Sequence, residues 1–230
     1  MRVYLDNAAT TPIAPEVAAC MIPLLQNEFG NPSSSHYLGR QAKAIIENAR
    51  RTISSKLNCL PSEIIFTSGG TEADNMTFHT AVRKLGVRHI ITSPIEHHAV
   101  GHTAEFMKEL YPDVLVSYVR LDDKGHVNLN HLEQLLAAST EKTLVSLMHA
   151  NNEIGTLLPL KKVSELTRQY NALFHSDTVQ TMGHYTFDLQ DLDIDFITCA
   201  AHKFHGPKGI GFLYANRKNT IEPMKKRAFR

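Results

Sequence analysis

The chain has 230 residues, 43% of them hydrophobic and 20% charged, with a formal net charge of +1. That composition and length suit one large globular domain or at most two small ones, able to bury roughly 70% of the surface the unfolded chain exposes. The near-neutral balance gives no reason to expect nucleic acid or an anionic membrane as partner, and no apolar run approaches the ~20 residues a membrane span needs.

Residues 1–15 read as an N-terminal arm ahead of one domain, residues 16–230. The arm lacks the basic-then-apolar profile of a signal peptide. Phe29 to His36 is a loop by its turn residues, followed by a helical pattern from Arg40 to Leu57. A first strand, Ile64–Thr67, leads into a helix over Thr71 to Leu85. Strands then follow at His89–Thr92, Val114–Val119 and Thr143–Met148, a helix at Leu160 to Tyr170, and further strands at Leu173–Ser176, Phe196–Cys199 and Gly211–Tyr214. Strands alternating with helices predict βαβ units, and so an α/β fold with one seven-stranded, mostly parallel sheet and helices on both faces. Only a loop separates the last two strands, too short for a parallel crossover, so the final strand should run antiparallel. The end of the chain, Met224 to Arg230, is a short basic tail without a pattern.

Four clusters fall at the carboxyl ends of strands, where ligands bind in open α/β sheets. Ser68-Gly-Gly-Thr-Glu-Ala-Asp-Asn75 follows a strand and opens a helix. Gly69 and Gly70 permit a tight turn, and the helix N-terminus with the Thr71 hydroxyl suits a phosphate. The alternative is an ordinary glycine turn with Thr71 as N-cap. Asp177, ahead of Gln180, could pair with a pyridinium nitrogen, or it could simply cap a helix. Lys203 lies between an apolar strand and a glycine loop, where desolvation would lower its pKa and make it an imine-forming nucleophile; a snorkelling lysine is the alternative. Glu96-His-His98 and Asn151-Asn-Glu-Ile-Gly155 bring polar groups to two more strand ends. A histidine there could stack on a flat ring and move protons, or be structural. Together these supply a phosphate cradle, a carboxylate, an imine-forming lysine and a stacking base, which are the needs of pyridoxal 5'-phosphate acting as an electron sink.

The stretches Tyr4-Leu-Asp-Asn-Ala-Ala-Thr-Thr-Pro12, Phe29-Gly-Asn-Pro-Ser33, Phe66 to Asn75, Glu96-His97, His149 to Gly155, Asp177 to Gln180 and His202-Lys-Phe-His-Gly-Pro-Lys-Gly209 closely resemble bacterial cysteine desulfurases. These are fold type I enzymes of the class V aminotransferase group, and the likeness runs from residue 4 to about residue 222. It implies the large, pyridoxal-phosphate-binding domain of an enzyme that takes sulfur from L-cysteine, releases alanine and supplies persulfide for iron–sulfur clusters or thiolation. It also implies a homodimer and a sulfur-acceptor scaffold protein as partner. By the same resemblance Lys203 is the Schiff-base lysine that moves the substrate α-proton, and His97 stacks on the ring and shares in proton transfer. Asp177 meets the ring nitrogen, Gln180 the phenolic oxygen, and Gly70, Thr71 and His202 the phosphate. Asn152 lies near the phenolic oxygen and the substrate carboxylate.

Two departures stand out. Ala200 sits where many relatives have a phosphate-binding serine, which would weaken cofactor binding by about 1 kcal/mol or somewhat more. The family's C-terminal small domain, with its persulfide-forming cysteine and carboxylate-binding arginine, is expected to be absent, leaving this chain inactive alone. Its alternative role is a non-catalytic remnant or subunit that pairs with a full-length desulfurase. The resemblance extends equally to relatives acting on selenocysteine or cysteine sulfinate.

The three cysteines, Cys20, Cys59 and Cys199, are far apart and form no disulfide framework, which fits a reducing, cytoplasmic compartment. Cys199-x-x-His202-x-x-His205 offers three potential metal ligands, but the spacing spans a strand end and a loop, and no metal is expected.

Overall fold

Alternation along the short strands sorts their side chains onto two faces, and each face acquires its own apolar core. The computed structural model describes residues 1, 3–219 and 221; the basic tail Met224–Arg230 lies outside the described residues. Its elements in chain order are α1 (Pro15–Asn27), α2 (Tyr37–Lys56), β1 (Ile64–Thr67), α3 (Gly70–Arg83), β2 (His89–Thr92), α4 (His98–Leu110), β3 (Leu115–Tyr118), α5 (Leu129–Ala138), β4 (Thr143–Ser146), α6 (Leu160–Gln169), β5 (Leu173–Asp177), β6 (Phe196–Ala200) and β7 (Gly211–Ala215). The strands form one seven-stranded sheet in the order β1-β7-β6-β5-β4-β2-β3. Pairings from β3 through β2, β4 and β5 to β6 are parallel, and β7 runs antiparallel to both β6 and β1. This is the α/β sheet expected from the sequence, including the reversed last strand.

One face packs Val145, Leu147, Phe174, Ile197 and Cys199 against residues of α5 and α6 such as Leu132 and Val163. The other packs Ile90, Leu144, Phe196 and Leu213 against Ala73, Phe78 and Ala81 of α3 and Val100 and Met107 of α4. The two-residue period therefore turns His175, Asp177, Thr198 and Ala200 toward α3 and α4. Every functional side chain discussed below comes from that face or from the loops at its carboxyl rim.

Strand limits differ slightly from the sequence pattern, for a physical reason. The apolar runs Val114–Val119 and Thr143–Met148 are longer than the ladders they contain, since Val119, Leu147 and Met148 stay buried after regular pairing ends. Conversely Asp177, a polar residue the pattern places beyond the strand, remains paired opposite Thr198. Gly211 opens β7 where a β-carbon would stand 2.2 Å from the Cys199 carbonyl oxygen and 3.0 Å from the Gly69 α-carbon. Only glycine lets β7 pass the turn that leads into α3.

Phe78 is fully buried at the centre of the α3 contact and meets the His175 ring edge-on, with centroids 6.1 Å apart. Phe78→Ala should therefore lower unfolding free energy by about 3–5 kcal/mol. Urea unfolding followed by circular dichroism measures this, and a loss under about 1 kcal/mol would show that α3 does not anchor the sheet.

Candidate active site

The carboxyl ends of β2, β4, β5 and β6 and the start of α3 surround a cavity of about 310 Å³. Gly70 and Thr71 line it from the first turn of α3, whose N-cap is Gly69 and carries no side-chain cap. Thr71 therefore lies inside the first turn rather than capping it, and the free N–H groups there form an anion site. The glycine is needed, because a β-carbon at Gly70 would stand 2.9 Å from Val179 Cγ2.

Asp177 ends β5 and lines the same cavity. No helix follows it; its Oδ1 accepts from the Val179 N–H at 2.9 Å and shapes the turn toward Gln180. Burial, reinforced by the nearby Asp74 carboxylate, pushes the Asp177 pKa up to about 7, against the Val179 hydrogen bond and the His175 and His97 rings. Lys203 closes a short 3-10 turn after β6, and burial lowers its pKa, opposed by Asp177 and Asp6. Its Nζ donates to the Ala8 carbonyl oxygen, which also accepts from Gln180 Nε2 at 2.9 Å. Lys203 and Gln180 are thus aligned by a single backbone acceptor from the N-terminal segment.

That segment is stitched to the lysine loop. The Thr11 N–H and Oγ1 donate to the His202 carbonyl at 2.9 and 3.0 Å, and the Ala14 N–H to the His205 carbonyl at 3.0 Å. His202 Nδ1 lies 3.1 Å from Thr10 Oγ1, and its pKa is lowered by burial and by the Lys203 and Lys208 charges, so the ring stays neutral. None of the described residues before α1 is in a helix or strand, and Ala9 forms part of the cavity wall.

His97 caps α4, its Nδ1 accepting the Ala99 N–H at 3.1 Å, which leaves Nε2 outside that bond. The neighbouring Glu96 ties two loops together: Oε1 accepts from Ser93 Oγ at 2.5 Å and Oε2 from the Met148 N–H at 2.9 Å. Burial drives the Glu96 pKa up to about 8, opposed by those hydrogen bonds and raised further by Asp177 and Asp74. Asn151 anchors the next loop, donating to the Ile95 carbonyl at 2.7 Å while its Oδ1 accepts from the Glu153 and Ile154 N–H groups. This presents Asn152 at the cavity wall. Ala200 lines the cavity without a polar group to offer.

All nine residues singled out in the sequence thus meet in one place. Four others also contribute: Asp74, His175 behind it, Ala8 and Ala9. Asp74 lay within a quoted motif, and its signal is an acid on the helix face that also carries Ala73, Thr77 and Phe78, all buried. A larger cavity of about 660 Å³ opens on the other face of the sheet, lined by Phe66, Phe187, Phe204, Phe212 and Cys199. It brings apolar side chains together and no cluster of titratable groups. Cys199 faces that side with its thiol pKa raised well above normal by burial, whereas His202 faces the 310 Å³ cavity, so the two do not converge on a metal.

The profile of the family described as aminotransferase class-V matches residues 3–228. The chain belongs to the aminotransferase class-V family. A class-V relative, cysteine desulfurase IscS of Dictyoglomus turgidum, is 43% identical over 225 residues, covering 97% of this chain and 56% of the relative. A solved structure called NifS-like protein superposes with a TM-score of 0.93 at 40% identity, covering 98% of this chain and 62% of that one. Another, SspA in complex with cysteine, gives a TM-score of 0.90 at 33% identity, covering 97% and 65%. This class-V chain therefore spans little more than half the length of the curated relatives it matches.

Asp74 and Asp177, each raised to about 7, and Glu96, raised to about 8, keep protons in the folded chain where the unfolded chain has released them. The folded state therefore loses stability as pH rises toward those values. His149 and His175, both lowered by burial to about 4, oppose this, but only where unfolded histidine is protonated, below about pH 6.5. The melting temperature should thus fall from roughly pH 7 to 8.5. Differential scanning calorimetry checks this, and a rise over that window would contradict the buried-acid assignment.

Proposed function

We propose that this chain carries the pyridoxal-phosphate site of a cysteine desulfurase acting on L-cysteine. The observation that carries the reading is Lys203, with its pKa lowered by burial, in one cavity with the buried Asp177 and the open start of α3. The names of the relatives, and the fold shared with a structure described as a cysteine complex, support the same class.

The residues fit the cofactor. A phosphate suits the α3 N-terminus at Gly70 and Thr71, with neutral His202 as a further donor. Asp177 is placed for a protonated ring nitrogen, and the ring's positive charge there would favour its ionised form. Gln180 offers its amide to the phenolic oxygen, His97 an imidazole for the ring face, and Asn152 a polar group for the substrate carboxylate. Bound in this way, pyridoxal phosphate supplies an electron sink that labilises bonds at an amino acid's Cα. Lys203 Nζ, unprotonated, would hold the cofactor at its aldehyde carbon with release of water, and once displaced by the substrate amine the same atom would be free to take and return the Cα proton. Ala200 contributes no hydrogen bond to the phosphate, which weakens binding by about 1 kcal/mol or somewhat more relative to a serine.

None of Cys20, Cys59 and Cys199 lines the cavity, so the sulfur-accepting thiol is assigned to other polypeptide. The chain by itself is expected to bind cofactor without turning over L-cysteine. A homodimeric assembly, a scaffold protein that accepts persulfide for iron–sulfur clusters, and a cytoplasmic location complete the reading. One observation favours a second role, as a non-catalytic subunit paired with a complete desulfurase: α1 buries none of its residues although it carries Val17, Met21, Ile22, Leu24 and Leu25. That surface suits association with further polypeptide.

Purified chain mixed with pyridoxal phosphate should turn yellow, and borohydride reduction should fix the cofactor on Lys203, located by peptide mass mapping. Lys203→Ala should lose both the colour and the adduct. Label spread over surface lysines, with none on Lys203, would defeat the assignment.

A further inference from the structure

Asp74 has no role in the reading above, yet it is one of the most thoroughly buried acids in the chain, with 1% of its surface exposed. It sits in the second turn of α3 and lines the 310 Å³ cavity. Its Oδ1 has no hydrogen-bond partner among the described residues and lies 3.4 Å from His175 Nε2, while burial raises the carboxyl's pKa against a hydrogen bond from the Thr198 side chain. His175, fully buried on β5, is held on its other side by Ser146 Oγ, 2.8 Å from Nδ1, while Thr198 Oγ1 lies 3.1 Å from Nε2. Two residues along the strand, on the same face, is Asp177. Phe78, one helical turn after Asp74, meets the His175 ring edge-on. A helix and two strands therefore hold two buried carboxylates and one imidazole together at the wall of the cavity.

We propose that Asp74 is a positioning residue for Asp177: the two buried carboxylates, which line one cavity on either side of His175, carry at most a single negative charge between them, and Asp74 sets how readily Asp177 ionises. Two acids in such a space do not both ionise easily, so the pair titrates as a unit. The remaining proton rests on Asp74 when Asp177 is charged. The charged groups facing the pair agree with this. Glu96, from the loop after β2, adds a third acid that disfavours a second negative charge, while His97 and Lys203 lie on the Asp177 side and favour its ionised form. Burial keeps His175 neutral, so it orients Asp74 without neutralising it. A cofactor whose ring nitrogen is positive would draw the charge fully onto Asp177 and leave Asp74 as the neutral acid. This last step rests on the proposed cofactor reading; the coupling itself does not.

The test uses the 230-residue chain with 13C-labelled aspartate carboxyls, signals being assigned by Asp74→Asn and Asp177→Asn. In the unmodified chain the Asp177 carboxyl should titrate far above the ordinary aspartate range, in two coupled steps. In Asp74→Asn its midpoint should fall by about one pH unit or more, and Asp177→Asn should lower Asp74 reciprocally. An Asp177 midpoint that Asp74→Asn leaves unchanged overturns the proposal. Should Asp74→Asn fail to fold, the unmodified chain still decides: a single Asp177 step in the ordinary range is enough to overturn it. With pyridoxal phosphate bound, Asp74 should already be neutral, so Asp74→Asn should leave the pH midpoint of the visible band close to that of the unmodified chain; a clear shift with both adducts on Lys203 would show Asp74 charged there and contradict the proposal. Absence of any Lys203 adduct in the unmodified chain would remove the cofactor reading and leave the carboxyl titration to decide the coupling.

Discussion

The structure depends on holding ionisable groups out of water at the carboxyl rim of an apolar sheet. An unpaired buried charge is expensive, so such groups persist only where partners, protonation or a ligand offset the cost. Here the offsets come from several elements together. Val179 donates to Asp177, Met148 and Ser93 to Glu96, and the Ala8 carbonyl accepts from Lys203. What these partners leave over is expressed as shifted proton affinity: acids that hold their protons and a lysine that gives its proton up more readily. An acid poised near neutrality is readily ionised by a cationic neighbour, and a lysine that loses its proton more readily is a better nucleophile.

The N-terminal segment makes this arrangement possible without regular structure of its own. Thr11 and Ala14 bond to the backbone around Lys203, and Ala8 then serves as acceptor for both Lys203 and Gln180. A segment from the start of the chain thus sets the aim of a lysine near residue 200, and the site requires the whole sheet to be folded before it exists. Residues with no chemistry of their own matter for the same reason. Gly211 lets β7 pass the turn that leads into α3, and Gly70 lets the start of α3 approach Val179, Thr198 and Ala200, which brings the helix N-terminus to the cavity.

Much of this was legible in the sequence. The β-branched and aromatic runs located all seven strands, since central strands such as β2 and β4 are covered on both faces and the edge strand β3 keeps the same residue types while partly exposed. The reversed last strand followed from a connection too short for a crossover. Gln180, Ala200 and His202 were marked by the family resemblance, whereas Gly70, Thr71, His97, Asn152, Asp177 and Lys203 were legible as polar, turn-forming or titratable residues after apolar runs. Asp74 and His175 were not, since an acid in a helix normally reads as solvated surface and a histidine within a strand as core. Only the packing of α3 on β5 reveals that they face each other. The role of Ala8 was hidden for a different reason: it acts through its backbone carbonyl, and no side chain announces that. Helix α4 itself was not read from the sequence: its opening residues His97 and His98 read as a site cluster, although His97 is also the helix cap.

The fold prepares Lys203 as a nucleophile by burying it, and competitive amine labelling over a pH series, without pyridoxal phosphate, measures this. Trace acetic anhydride, with mass spectrometry of each lysine peptide, reports how each amine titrates within a single sample. The Lys203 midpoint should lie clearly below the ordinary lysine range. A Lys203 that titrates together with the surface lysines would contradict it.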